Sequence, residues 1–121
     1  MPPQQSPFAP ESLTAARLAS GLSRAAVAEQ LGVHRQRVYD WETGVSTPHA
    51  RQVPALAAAV GVEALSLVDG WSLRSRRYAA GLTQEAAAAA VGVARPEWSR
   101  WENGLRIPQR YAAAVRRLVG G

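Results

Sequence analysis

The sequence predicts an all-α fold built as two tandem units, five helices and then four. Three observations carry that expectation. Apolar residues recur at three- and four-residue spacing along most of the chain, the period of a helix with one buried face. Glycines close each periodic stretch. The chain also matches itself at an offset of 60 residues, with Leu13 on Leu73, Arg17 on Arg77, Gly21 on Gly81, Ala28 on Ala88 and Gly32 on Gly92. Further along, Arg35, Trp41, Glu42, Gly44 and Pro48 meet Arg95, Trp101, Glu102, Gly104 and Pro108. No gap is needed, which marks an internal repeat of one supersecondary unit. The predicted division is a flexible arm over residues 1–10, a first unit over 11–70 and a second over 71–121.

Met1 to Pro10 carries four prolines, two glutamines and no charge, the composition of a flexible terminus. Pro10 and Glu11 open helix one, because proline suits a first turn and a carboxylate suits its positive end. Leu13, Ala16 and Arg17 share a face of it until Gly21. Ser23 is a good N-cap for helix two, Arg24 to Leu31, which Gly32 closes. The thirteen residues from Gly32 to Gly44, echoed from Gly92 to Gly104, then read as turn, short helix and glycine stop. Val38 and Trp41, or Trp98 and Trp101, form an apolar stripe there, which aromatics at helical spacing usually place in a core. Arg35, Gln36, Tyr39 and Asp40, or Arg95, Ser99 and Arg100, point elsewhere and are free to read a partner. Helix four is expected to start at Pro54 and end at Gly61. A short fifth helix follows, with Val62, Leu65 and Val68 on one face, and stops at Asp69-Gly70. The second copy ends at Gly121, the counterpart of Gly61, without a fifth helix.

A formal charge of +5 favours an acidic partner, and nucleic acid is the natural one. All 14 basic residues are Arg. Abundant Arg and Ala also fit the codon bias of a GC-rich genome, so the placement of the arginines says more than their number. Nine Arg and five acids lie from Val62 onward, against five Arg and four acids before it. Without Cys there is no disulfide framework or thiolate, and His34 and His49 alone make no metal site, so no cofactor is expected. No apolar run nears the roughly 18 residues of a membrane span, and the N-terminus lacks a secretory signal. The expectation is a cytoplasmic protein with no membrane partner. No nucleophile and base, metal cluster or phosphate loop can be assembled, which argues against an enzyme. The run Ala86 to Ala90 is a helix former, and Arg116 and Arg117 read first as solvating a terminal helix.

The order helix, Gly-Leu-Ser/Thr, helix with Ala at its fifth position, Gly-Val, helix, Trp-Glu-x-Gly resembles the Cro/repressor-like (Xre-type) helix-turn-helix family. The likeness covers Leu13 to Gly70 and again Leu73 to Gly121, in spacing as well as residue type. It implies two lambda-repressor-like units that bind double-stranded DNA, with the third helix of each in the major groove and the start of the second on phosphate. Carried over by position, it implies base reading by Arg35, Gln36 and Asp40, with Arg37 and Tyr39 at the edge and Arg24 on phosphate. In the second unit it implies base reading by Arg95 and Arg100, with Pro96 at a position that cannot hydrogen-bond a base. Glu97 and Ser99 lie beside them, and Gln84 and Arg106 are implied phosphate contacts. These residue types suit base reading, since Arg is bidentate to guanine, Gln to adenine, and Asp accepts from cytosine. Structural roles implied by the likeness are the ion pairs Arg17 with Glu42 and Arg77 with Glu102, and core packing by Trp41 and Trp101. Two departures stand out. The usual Ser or Thr cap of the third helix is His34 in one copy and Ala94 in the other, neither a strong cap.

The function this implies is a sequence-specific transcriptional repressor, since no sensor domain is evident. A regulator that also binds a protein partner, in the manner of antitoxins and mobile-element regulators, is the alternative, and a protein-binding adaptor is a third. Only Gly70, Trp71 and Ser72 separate the units, so one chain is expected to act as a pseudo-dimer on an asymmetric site, while an open apolar face after helix four of the second unit keeps a homodimer in play.

Overall fold

In a computed structural model, which describes residues 6–120, the chain forms eight α-helices. The first unit holds α1 (Pro10–Ala19), α2 (Arg24–Leu31), α3 (Arg35–Thr43) and α4 (Val53–Val60). The second holds α5 (Leu73–Ala79), α6 (Gln84–Val91), α7 (Arg95–Glu102) and α8 (Gln109–Val119). Each unit has its own core. Leu13, Val27, Val38, Trp41, Leu56 and Leu67 are buried in the first, and Ala87, Ala88, Trp98, Trp101, Val115 and Val119 in the second.

The repeat is kept but not copied. Proline explains one difference, because Pro54 has no N–H to donate to Ala50 and so cannot continue an α-helix backward. The preceding residues instead form a 3-10 turn, Ala50–Gln52, and α4 starts at Val53 with proline in its first turn. Its counterpart in the second unit is Ala114, and there α8 runs unbroken from Gln109.

Two expectations are corrected. The short fifth helix is present as a 3-10 helix, Ala64–Leu67, but it excludes Val62 and Val68, and Val68 after it is extended. Val68 is extended because it pairs antiparallel with Phe8. The same pairing overturns the flexible arm for its last residues: Ala9 N–H donates to Leu67 O at 2.8 Å, Asp69 N–H donates to Pro7 O at 2.7 Å, and Phe8 and Ala9 are buried. Phe8 is the chain's only phenylalanine, and its burial in the first core outweighs the composition around it. Residues 1–5 of the expected arm lie outside the described residues.

The units are docked on each other through α5. Tyr78 and Ala79 are buried in the first unit's core, and the Tyr78 hydroxyl donates to the carbonyl of Pro48. Ser75 is buried beside them, and its hydroxyl donates to Asp69 O at 2.6 Å, which ties α5 to the connecting segment. At Gly81 a Cβ would stand 2.7 Å from Pro54 Cγ, so the turn after α5 touches the start of α4.

Candidate nucleic-acid interface

The third helix of each unit, α3 and α7, is set at its angle by the turn before it. Gly32 and Gly92 end α2 and α6 with φ of 70° and 83°, a left-handed backbone that side chains with a Cβ resist. Val33 N–H then reaches back to Ala28 O at 3.0 Å, and Val93 N–H to Ala88 O at 2.9 Å. Ala28 and Ala88, which accept these bonds, are buried between the helices. Ser23 and Thr83 cap α2 and α6 by accepting from Ala26 N and Ala86 N, each at 3.0 Å.

Burying Val38 and Trp41 turns the opposite side of α3 outward, so Arg35, Gln36, Arg37 and Tyr39 are exposed and Asp40 is half-buried. Burying Trp98 and Trp101 exposes Arg95, Pro96 and Arg100 on α7, with Glu97 and Ser99 half-buried. Gln36 Nε2 donates to Asp40 Oδ1 at 3.1 Å, which holds two expected base readers together one turn apart. Arg100 pairs with Glu97 at 3.1 Å. Among the described residues, no carboxylate lies within ion-pair distance of Arg35, Arg37, Arg95 or Arg106. Four guanidiniums are thus left to water or to an anionic partner, and Arg106 extends this set into the loop after α7. The weak-cap expectation fails for α3, because His34 Nδ1 accepts from Gln36 N at 3.0 Å. Ala94 makes no such bond.

Behind the outward face of α3, and again of α7, sits one buried carboxylate. Glu42 takes Arg17 Nε at 2.5 Å and Arg24 Nε at 3.0 Å, while Arg17 Nη1 also holds Leu22 O at 2.9 Å. Glu102 takes Arg77, Gln84 Nε2 at 2.9 Å, Trp98 Nε1 at 2.6 Å and, at 3.5 Å, Arg74. Burial alone would raise both carboxyls, but the hydrogen bonds and charge of Arg17 and Arg24 hold Glu42 below the ordinary carboxylate value. Arg77, Gln84 and Trp98 do the same for Glu102. The last turns of α3 and α7 are thereby fixed to the first two helices of their units.

Arg24 and Gln84, expected on phosphate, therefore also serve these clusters. The Arg24 guanidinium stands between Glu42 and the Tyr39 ring, 5.2 Å from its centroid, with its side chain 42% exposed. Sequence reasoning missed this cation-π contact, and it missed Trp98 donating to Glu102, although their four-residue spacing was a usable signal. It also had no means to foresee the groove of about 730 Å³ between the units, bordered by Arg37 of α3 and by Thr83, Gln84 and Arg95 of the second unit. That groove exists only because α5 docks on the first unit.

Two helices joined by a left-handed glycine turn, the second presenting a cationic outer face, define a helix-turn-helix, and this chain holds two. The sequence profile of the helix-turn-helix domain matches residues 11–69 and again 70–119, so the chain belongs to the helix-turn-helix domain family, whose general role is that of a DNA-binding regulator. No curated protein and no solved structure matches it. None of the described helices is long and apolar enough to cross a membrane.

Proposed function

We propose that the chain is a sequence-specific transcriptional repressor of the Cro/repressor-like (Xre-type) class, a cytoplasmic binding protein rather than an enzyme. The observation that carries the reading is the pair of outward faces on α3 and α7, where, among the described residues, Arg35, Arg37 and Arg95 have no carboxylate within ion-pair distance while Val38, Trp41, Trp98 and Trp101 are locked into the cores. Guanidiniums placed this way neutralise phosphate and fork onto guanine. Repression follows from occupancy, since two bound units occlude the duplex they cover.

Binding to random duplex DNA should weaken steeply as salt rises, through counterion release. Selection from a random duplex library should return a defined site. Replacing Arg35 by Ala should relax preference at one base pair and cost about 1–3 kcal/mol there. An unchanged preference across single-base variants of the site would count against Arg35 as a reader. Salt-independent or absent duplex binding would instead favour the adaptor reading. A second reading keeps DNA binding and adds a protein partner or a second copy. It is favoured by Leu18 on α1, 63% exposed at the position where α5 buries Tyr78.

A further inference from the structure

The contact between the units lacks two-fold symmetry. A dyad would make each contact occur twice, so that residue i of one unit meets j of the other and j meets i. Here the turn after α5 presses on α4, with Gly81 against Pro54 and Tyr78 bonded to Pro48. The reciprocal positions do not touch. Gly21, the counterpart of Gly81, has nothing within 4 Å of its Cβ position, and Leu18, the counterpart of Tyr78, is 63% exposed. Arg110, which corresponds to the buried Ala50, is exposed. The docking is head-to-tail.

Duplex DNA offers two ways to place equivalent surfaces on one molecule: a dyad across its axis, which gives an inverted repeat, or a screw along it, which gives a direct repeat. Palindromic operators mirror two-fold proteins. A contact made in one direction along the chain, and not reciprocated, fits the screw rather than the dyad. Both helix-turn-helix motifs also border the same groove, Arg37 on one wall and Thr83, Gln84 and Arg95 on the other, so their surfaces adjoin, and among the described residues the walls carry the free guanidiniums of Arg37 and Arg95 beside one carboxylate, Glu85.

From this we infer that one chain reads two half-sites in the same orientation along the duplex, a tandem rather than inverted arrangement, with the inter-unit groove straddling the sugar-phosphate strand between them. The inference rests on the DNA-binding reading above. It gives the expected pseudo-dimer on an asymmetric site a definite orientation.

Giving both units one reading face makes the orientation visible. The full chain carrying Pro96→Gln, Glu97→Arg, Ser99→Tyr and Arg100→Asp presents on α7 the outward residues of α3. Sites selected from a random duplex library, with one chain per duplex verified by light scattering, should then contain the same word twice in direct orientation at one fixed spacing. Inverting one word at that spacing should weaken binding by at least about tenfold, since a single mismatched base pair already costs on that order. An inverted pair of words under one chain, or a single word, overturns the inference while leaving DNA binding intact. The unsubstituted chain supplies a test that does not depend on the variant folding. Hydroxyl-radical protections on its own selected site should repeat in the same sense along a strand, and protections related by a dyad overturn the inference. If the unsubstituted chain binds no duplex in a salt-dependent way, the functional reading falls first and the inference with it.

Discussion

Glu42 and Glu102 show how much of each unit turns on one side chain. Each is buried, charged and shared between helices one, two and three of its unit. Because the folded carboxyls titrate below the ordinary value of 4.5, the unfolded chain binds more protons in acid. Their stabilising contribution is therefore complete above that value and is lost as pH falls through the lower folded one. Thermal melts should show a steep loss of stability below about pH 4.5, the region where a carboxylate ordinarily titrates. A Glu102→Gln variant should start lower at neutral pH and lose less on acidification; an acid limb as steep as the parent's would assign that loss to other groups. The tryptophans divide in the same way. Trp98 Nε1 donates to Glu102, whereas the buried Nε1 atoms of Trp41 and Trp101 have no partner. Trp98→Phe should accordingly cost about 1.5–3 kcal/mol more than Trp101→Phe, the worth of a hydrogen bond to a charged acceptor. Trp101→Ala should cost about 3–5 kcal/mol as a cavity in the second core. Urea midpoints of the three variants order these values, and equal costs for the two Phe variants would remove the special place of Trp98. That these rings are core was legible from their spacing alone. Which of them carries a polar duty was not, because that depends on where Glu102 points.

At the scale of elements, the sequence spells out the helices and turns where a local rule acts alone. The bounds of α2, the left-handed glycines at Gly32 and Gly92, and the proline-limited start of α4 all follow from capping and backbone chemistry. Elements that depend on a distant partner are not legible in this way. Val68 fits a helical face until Phe8 pairs with it, and Phe8 reads as part of a flexible arm until Val68 is there to receive it. His34 looks like a poor cap by type, yet its ring nitrogen accepts from the Gln36 amide. The turns between the first two helices of each unit test the same point. Gly21 and Gly81 occupy equivalent places in the repeat and share a left-handed backbone, φ 71° and 82°. A Cβ at Gly21 meets open space, while one at Gly81 meets Pro54. Gly21→Ala should therefore cost only the backbone strain, about 1–2 kcal/mol. Gly81→Ala should add an overpacking cost of about 1–3 kcal/mol. Matching denaturation curves for the two would mean that the contact with Pro54 gives way freely.

Taken as a whole, the molecule is two repeats docked on each other through α5, and this no reading of either repeat could supply. Residues that fuse them sit at positions where the first copy has ordinary surface: Tyr78 against Leu18, Ser75 against Ala15, Ala79 against Ala19. Tyr78 fills space in the first unit's core and satisfies the buried Pro48 carbonyl, so the first unit is complete only when α5 is folded against it. Unfolding the second unit would thus expose part of the first, and the parent should melt in one transition, with calorimetric and van't Hoff enthalpies that agree. Tyr78→Ala removes the ring and leaves the carbonyl unpaired, a loss of about 3 kcal/mol or more. That loss falls on the contact between the units, so the variant should do more than melt early. Its single transition should separate into two, and the van't Hoff enthalpy should drop well below the calorimetric one. The fixed half-site spacing of the direct repeat should loosen in parallel, because the spacing is held by the same docking. A Tyr78→Ala chain that still melts in one step would place the cooperativity elsewhere, in the connecting segment from Asp69 to Ser75.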